Sequence, residues 1–143
     1  MGILRLSLQN QLNELKRLGF ALNEFLDEEG VPPDAVRRIR LVIEELFVNV
    51  MNHAYDHATV HAITLDVRTE SGRATVVIDD DGRPFDPRTA PPPVLKGPIE
   101  ERQERGYGIY IVKHLTSDFS YAREDDRNRV RAVIEYQRAK EPK

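Results

Sequence analysis

Cysteine is absent from the chain, which excludes disulfide frameworks, zinc knuckles and thiol catalysis. No apolar run approaches the ~18 residues that a membrane-spanning helix needs. The start, Met1-Gly2-Ile3-Leu4-Arg5, has no apolar signal-peptide core. Basic blocks are lacking too: 21 Lys and Arg are interleaved with 24 Asp and Glu, for a net charge of -3. Nothing therefore marks a DNA- or RNA-binding face. These absences leave a soluble acidic protein, expected in the cytoplasm, with no membrane and no direct nucleic-acid partner. The 143 residues suit one domain, 1–143, large enough to bury a core without covalent staples.

Hydrophobic periodicity lays out the elements. Leu4, Leu6 and Leu8 alternate with polar residues and predict a first strand. Leu12, Leu15, Leu18, Leu22, Phe25 and Leu26 recur at helical spacing, with Gly30 where a helix-ending glycine belongs. Pro32-Pro33-Asp34 breaks the chain and offers Asp34 as the N-cap of a second helix. Its stripe is Val36, Ile39, Ile43, Leu46, Val50 and Ala54, running to about Tyr55. Ile63, Leu65 and Val67, then Ala74, Val76 and Ile78, predict a hairpin about Glu70-Ser71-Gly72. The stretch 86–105 holds five prolines and little periodicity, so it reads as a long loop of the kind that forms lids or binding loops. A third helix follows through Ile109, Val112 and Leu115, then a strand over Phe119 to Arg123, a turn over Asp125 to Asn128, and a last strand through Val130, Ala132 and Ile134. This order predicts an α+β fold with helices on one face of the sheet.

Three segments carry chemistry. On the second helix Glu45, Asn49 and His53 lie four residues apart on one ridge beside the apolar stripe. A carboxylate one turn before an amide can orient a nucleophile and hold a magnesium ion through oxygen; a solvated helix edge has the same spacing. Next, the strand through Val76 and Ile78 ends in Asp79-Asp80-Asp81-Gly82-Arg83-Pro84-Phe85-Asp86-Pro87. A carboxylate there can accept from an exocyclic amine, and glycine lets a base approach the backbone. An acidic turn is the plainer alternative; a calcium loop fails on ligand spacing. Finally, Gly106-Tyr107-Gly108-Ile109 opens a helix, where free N–H groups and the helix dipole favour phosphate. It matches neither the dinucleotide fingerprint nor the P-loop.

Taken together and in this order, the segments resemble the ATP-binding fold shared by gyrase, histidine kinases and MutL-type repair ATPases, the GHKL or Bergerat group. There a helix carries E-x-x-x-N, a strand ends in D-x-G, and a lid leads to a G-x-G helix. The wording is more similar still to the bacterial anti-sigma-factor serine/threonine kinases: Glu45-Leu-Phe-Val-Asn49 with His53-Ala54-Tyr55, Asp80-Asp81-Gly82-Arg83-Pro84-Phe85-Asp86-Pro87, Gly106-Tyr-Gly108-Ile-Tyr-Ile-Val112, and Asn128-Arg129-Val130.

The resemblance implies a two-layer sandwich with a mostly antiparallel mixed sheet, helices on one face, and an ATP lid at about 86–105. It implies ATP and Mg²⁺ as cofactors. Glu45 would orient or deprotonate the attacking hydroxyl, Asn49 would bind Mg²⁺, Asp80 the adenine amino group, and Gly82 the adjacent ring edge. Gly106, Tyr107, Gly108 and Ile109 would cradle phosphates through their backbone, with Arg105 as a charge clamp. Phe85 and His53 would line the nucleotide site, though His53 could equally pack beside the core. Two departures stand out: Glu104 replaces a glycine that relatives often carry, and the final strand shows Val130-Arg131-Ala132-Val133 where many members place a threonine. The implied function is an ATP-dependent serine/threonine kinase that antagonises a sigma factor and phosphorylates a serine on an anti-anti-sigma (STAS-type) partner. A homodimer is implied as well. The rival readings are a nucleotide-dependent regulatory binding module without kinase activity and a stand-alone ATPase.

Overall fold

The computed structural model describes residues 1–56, 59–89 and 107–137, with the backbone alone at Tyr107. The order is β1 (Gly2–Gln9), α1 (Glu14–Glu28), α2 (Pro33–His53), β2 (Ala62–Glu70), β3 (Arg73–Asp80), a 3-10 turn at Pro87–Thr89, α3 (Tyr107–Leu115), β4 (Asp118–Glu124) and β5 (Arg127–Glu135). The five strands form one sheet in the order β1-β2-β3-β5-β4. Every described pairing is antiparallel. The α+β expectation holds, and no parallel pair occurs among the described residues.

Strand alternation decides which face meets the helices, since successive side chains point to opposite faces. Ile63, Leu65 and Val67 of β2, Ala74, Val76 and Ile78 of β3, and Val130, Ala132 and Ile134 of β5 are all buried. Against them pack Leu18, Leu22 and Leu26 of α1, Ile39, Ile43, Leu46, Phe47 and Val50 of α2, and Ile109 and Val112 of α3. The opposite face carries charges: Arg5 pairs with Asp66, and Arg127 and Arg129 pair with Asp79. α2 is buried more broadly than the six-residue stripe suggests. Ala35, Val42, Phe47 and Met51 join it, because α1 and α3 both pack on this helix.

Both hairpins turn through two residues at positive φ, Ser71 (51°) with Gly72 (79°) and Asp125 (52°) with Asp126 (59°). That geometry matches the strand twist. The second turn is tighter than expected: Arg127 and Asn128 belong to β5, not to the turn. Two more boundaries differ. Leu12 precedes α1, which starts at Glu14. Asp34 is not an N-cap: Pro32 takes that position with extended backbone and Pro33 opens the helix. Proline has φ preset for a first turn and loses no needed donor there. Asp34 instead lies one turn before Arg38, 3.8 Å from its guanidinium. Most of the proposed lid, 90–105, falls outside the described residues.

Candidate active site

The α2 ridge forms as its spacing predicts, and its two ends meet different pieces of chain, Glu45 the start of α3 and His53 the turn after β3. Glu45 is half-buried and abuts the start of α3. A Cβ built on Gly108 would lie 2.1 Å from Glu45 Oε2, so the missing side chain at 108 is what makes room for this carboxylate. Burial, and then the neighbouring Glu44, raises the Glu45 carboxyl above the ordinary range. A raised carboxyl is better suited to take a proton near neutrality than an exposed one. Glu44 turns away to Arg40 at 3.0 Å, as the helical arithmetic requires.

One turn on, Asn49 Nδ2 donates to the Glu45 carbonyl at 3.4 Å. Its Oδ1 accepts no hydrogen bond among the described residues. His53 is exposed at the end of the helix and stacks on Phe85, with centroids 4.6 Å apart and planes 18° from parallel. The packed-core alternative for His53 is thereby corrected: α2 ends here, and the ring leans over the turn that follows β3.

The three adjacent acids point three ways, although Asp79 and Asp81 still act on Asp80. Asp79 lies on the charged outer face with Arg127 and Arg129. Asp81 accepts from the Tyr55 hydroxyl at 2.6 Å, and its own N–H donates back to that hydroxyl at 3.0 Å. The Tyr55 bond, set against partial burial, holds Asp81 below the usual aspartate range. Asp80 turns inward and is only 1% exposed. Its Oδ1 accepts from the Gly82 N–H and from Asn128 Nδ2, both at 2.9 Å. Its Oδ2 has no donor among the described residues. Burial pushes Asp80 up, and those two hydrogen bonds offset only part of the shift.

Gly82 is required by contact rather than by backbone angle. A Cβ there would sit 2.4 Å from the Ala54 carbonyl oxygen and 2.7 Å from the Ala54 Cβ. The Arg83 N–H donates to that same carbonyl at 2.9 Å, so the D-x-G turn is laced to the end of α2. α3 opens at Tyr107, and Gly108 and Ile109 stand in its first turn, where helix N–H groups lack intrahelical acceptors. The Ile109 side chain is buried in the core, leaving its backbone for the site. Arg105 and Gly106 lie outside the described residues.

Sequence reasoning counted Asn128 among the family-like segments but gave it no role in the site. It is 1% exposed, and its amide joins Asp80 to Arg83, Phe85, Tyr121 and Arg123. The signal was present: carrying the inward alternation Val130, Ala132, Ile134 back one step reaches Asn128.

The residues fit a purine nucleotide: a buried carboxylate with one oxygen held and the other open stands beside a glycine pressed onto backbone. They also fit a cation carried by phosphates. Among the described residues no three His, Asp or Glu gather to hold a metal, whereas Mg²⁺ bound with phosphates needs only one or two protein oxygens, and Asn49 Oδ1 is open.

Comparison with known proteins identifies the family. Residues 8–134 match the family model described as the histidine kinase-like ATPase domain, and the chain belongs to that family. It is 29% identical over 90 residues to the serine/threonine-protein kinase BtrW of Bordetella bronchiseptica, covering 63% of each chain. It is 27% identical over 122 residues to the serine-protein kinase RsbW of Bacillus cereus, covering 82% of this chain and 67% of that one. The chain thus spans about two thirds of the length of these relatives. Among solved structures, the RsbU and RsbW domains from Mycobacterium tuberculosis superpose with a TM-score of 0.69 at 16% identity, over 97% of this chain and 34% of that one. The SiaB-SiaC complex from Pseudomonas aeruginosa gives 0.64 at 21% identity, over 92% and 89%. At these identities the two structures speak for the fold. No helix among the described residues is long and apolar enough to cross a membrane.

Proposed function

We propose that the chain is an ATP-dependent, anti-sigma-type serine kinase that transfers the γ-phosphoryl group to a serine of a small STAS-type partner. The observation that carries this reading is the α2 ridge, which lies between a buried, half-occupied Asp80 carboxylate at one end and the Glu45–Gly108 contact at the other. The relatives named serine-protein kinases support the choice of acceptor.

ATP supplies the group transferred, and Mg²⁺ neutralises charge on its phosphates. Asp80 Oδ2 accepts from the adenine amino group, and Gly82 admits the ring edge. Asn49 Oδ1 offers the metal an oxygen. The first-turn N–H groups of α3 receive phosphate, with Arg105 and Gly106 adding to that cradle. Glu45 orients the partner's serine hydroxyl and takes its proton. Phosphoryl transfer of this kind rests on positioning and charge neutralisation more than on covalent chemistry. A sigma factor as second partner, a homodimer and a cytoplasmic location complete the reading.

Calorimetry with Mg²⁺-ATP tests it. Wild-type binding weakened by Asp80→Asn and by Asn49→Ala is the expected result, with binding largely spared in Glu45→Ala. No wild-type binding sinks the reading. With a phosphorylatable partner in hand, Glu45→Ala should lower transfer by about 10²–10⁴, the usual worth of a general base. Phosphate release without any partner should be near nil; steady release would point to a stand-alone ATPase instead.

A further inference from the structure

The Asn128 amide is saturated in a way that permits one orientation only. Nδ2 donates to Asp80 Oδ1 at 2.9 Å and to the Arg83 carbonyl at 2.7 Å. Oδ1 accepts from the Tyr121 hydroxyl at 2.5 Å, from Arg123 Nη1 at 3.1 Å and from the Phe85 N–H at 3.3 Å. Exchanging O and N would set the NH₂ against the Arg123 and Phe85 donors and the oxygen against Asp80 Oδ1 and the Arg83 carbonyl, so the amide holds this orientation. Arg123 Nη1 also donates to the Gly82 carbonyl at 2.7 Å. One buried hub therefore fixes both the carboxylate and the glycine of the D-x-G turn, and its parts come from β4 and β5.

We propose that Asn128 is a positioning residue that sets the base selectivity of the nucleotide site. Together with the Gly82 N–H it occupies Asp80 Oδ1, which leaves Oδ2 as the one acceptor presented to a purine. The inference rests on the nucleotide reading above. A carboxylate held as an acceptor suits a 6-amino purine and opposes a 6-oxo purine, because two acceptors would then meet at a residue only 1% exposed without a proton between them. Without Asn128, Asp80 can rotate or take up a proton. A protonated carboxyl donates as well as accepts, so it no longer tells the two bases apart.

The test compares ATP with inosine triphosphate, which has a 6-oxo group for the 6-amino and the same sugar and phosphates. Both are titrated calorimetrically into the full chain with Mg²⁺. Wild type should prefer ATP. In Asn128→Ser the ATP-to-ITP affinity ratio should fall by about tenfold, the scale of one buried hydrogen bond, mainly through weaker ATP binding. A purely structural role would weaken both nucleotides alike and leave the ratio unmoved. Tyr121→Phe keeps the ring, removes one donor from the hub, and should lower the ratio by a smaller factor; it decides the matter if Asn128→Ser does not fold. An unchanged ratio in the folded variant overturns the proposal while leaving the nucleotide reading intact; equal wild-type affinity for the two nucleotides overturns it together with the Asp80–adenine contact. Wild type that binds neither nucleotide overturns both.

Discussion

Asp80 is held against its own interest. Its carboxylate is desolvated beside Asp79 and Asp81, and only two donors on one oxygen compensate. Buried charge that is incompletely paired costs stability. Asp80→Asn keeps an oxygen for the Gly82 N–H and Asn128 Nδ2 while removing the charge. At neutral pH it should raise the melting temperature and at the same time weaken ATP binding. A thermal melt with calorimetry on the same sample checks both; a lower melting temperature would show that the two hydrogen bonds outweigh the burial. Glu45 is a milder case of the same conflict, because its raised carboxyl is stored beside a glycine instead of a donor.

At the level of elements, α2 is the frame of the site, with Glu45, Asn49 and His53 on successive turns and the D-x-G turn tied to the carbonyl of its C-cap residue, Ala54. That tie leaves no slack. In Gly82→Ala the new methyl meets Ala54 backbone, which cannot swing aside as a side-chain end could. Overpacking of this kind costs roughly 1–3 kcal/mol. Urea denaturation should register the loss, together with loss of ATP binding; a variant as stable as wild type would mean the turn can lift off α2. Most of this was legible in sequence, since helical spacing locates the ridge and alternation locates β2, β3 and β5. Asn128 escaped because a polar residue at a strand end reads as turn, although the alternation of β5 carried back one step puts it inside, where its register opposite Asp80 has it. The threefold divergence of Asp79, Asp80 and Asp81 was hidden for a similar reason. Spacing gives alternation within a strand, but not the Tyr55 hydroxyl that draws Asp81 away. Asp34 was misplaced because a capping aspartate and a first-turn aspartate after proline look alike in a string of letters.

For the whole molecule, ionisation should shape stability in two opposite ways. Asp80 and Glu45 hold protons more tightly folded than unfolded, so the stability they lend is present below their unfolded values and lost as pH rises through the folded ones. Asp66, Asp81 and Asp86 behave in reverse. Burial pushes Asp66 up but Arg5 and Arg68 win, while Tyr55 lowers Asp81 and Arg88 lowers Asp86. What they contribute is present above the unfolded aspartate value of about 3.9 and disappears as pH falls further. Urea midpoints should therefore rise as pH is lowered from neutrality toward the ordinary carboxylate range, as Asp80 and Glu45 take up protons, and fall below about pH 4. A midpoint that declined steadily from neutrality would contradict the assignment of Asp80 and Glu45.

The place of β5 in the sheet has a consequence for synthesis. It lies between β3 and β4, and its Asn128 reaches back 48 residues to Asp80. A chain leaving the ribosome therefore has the D-x-G turn long before it has the strand that completes it. Until residue 135 has cleared the exit tunnel, β3 offers an unpaired edge and Asp80 has no amide from β5. During translation, ordering of the nucleotide pocket and closure of the sheet become a single late event, so a nascent chain halted at 124 should capture no nucleotide however long it waits.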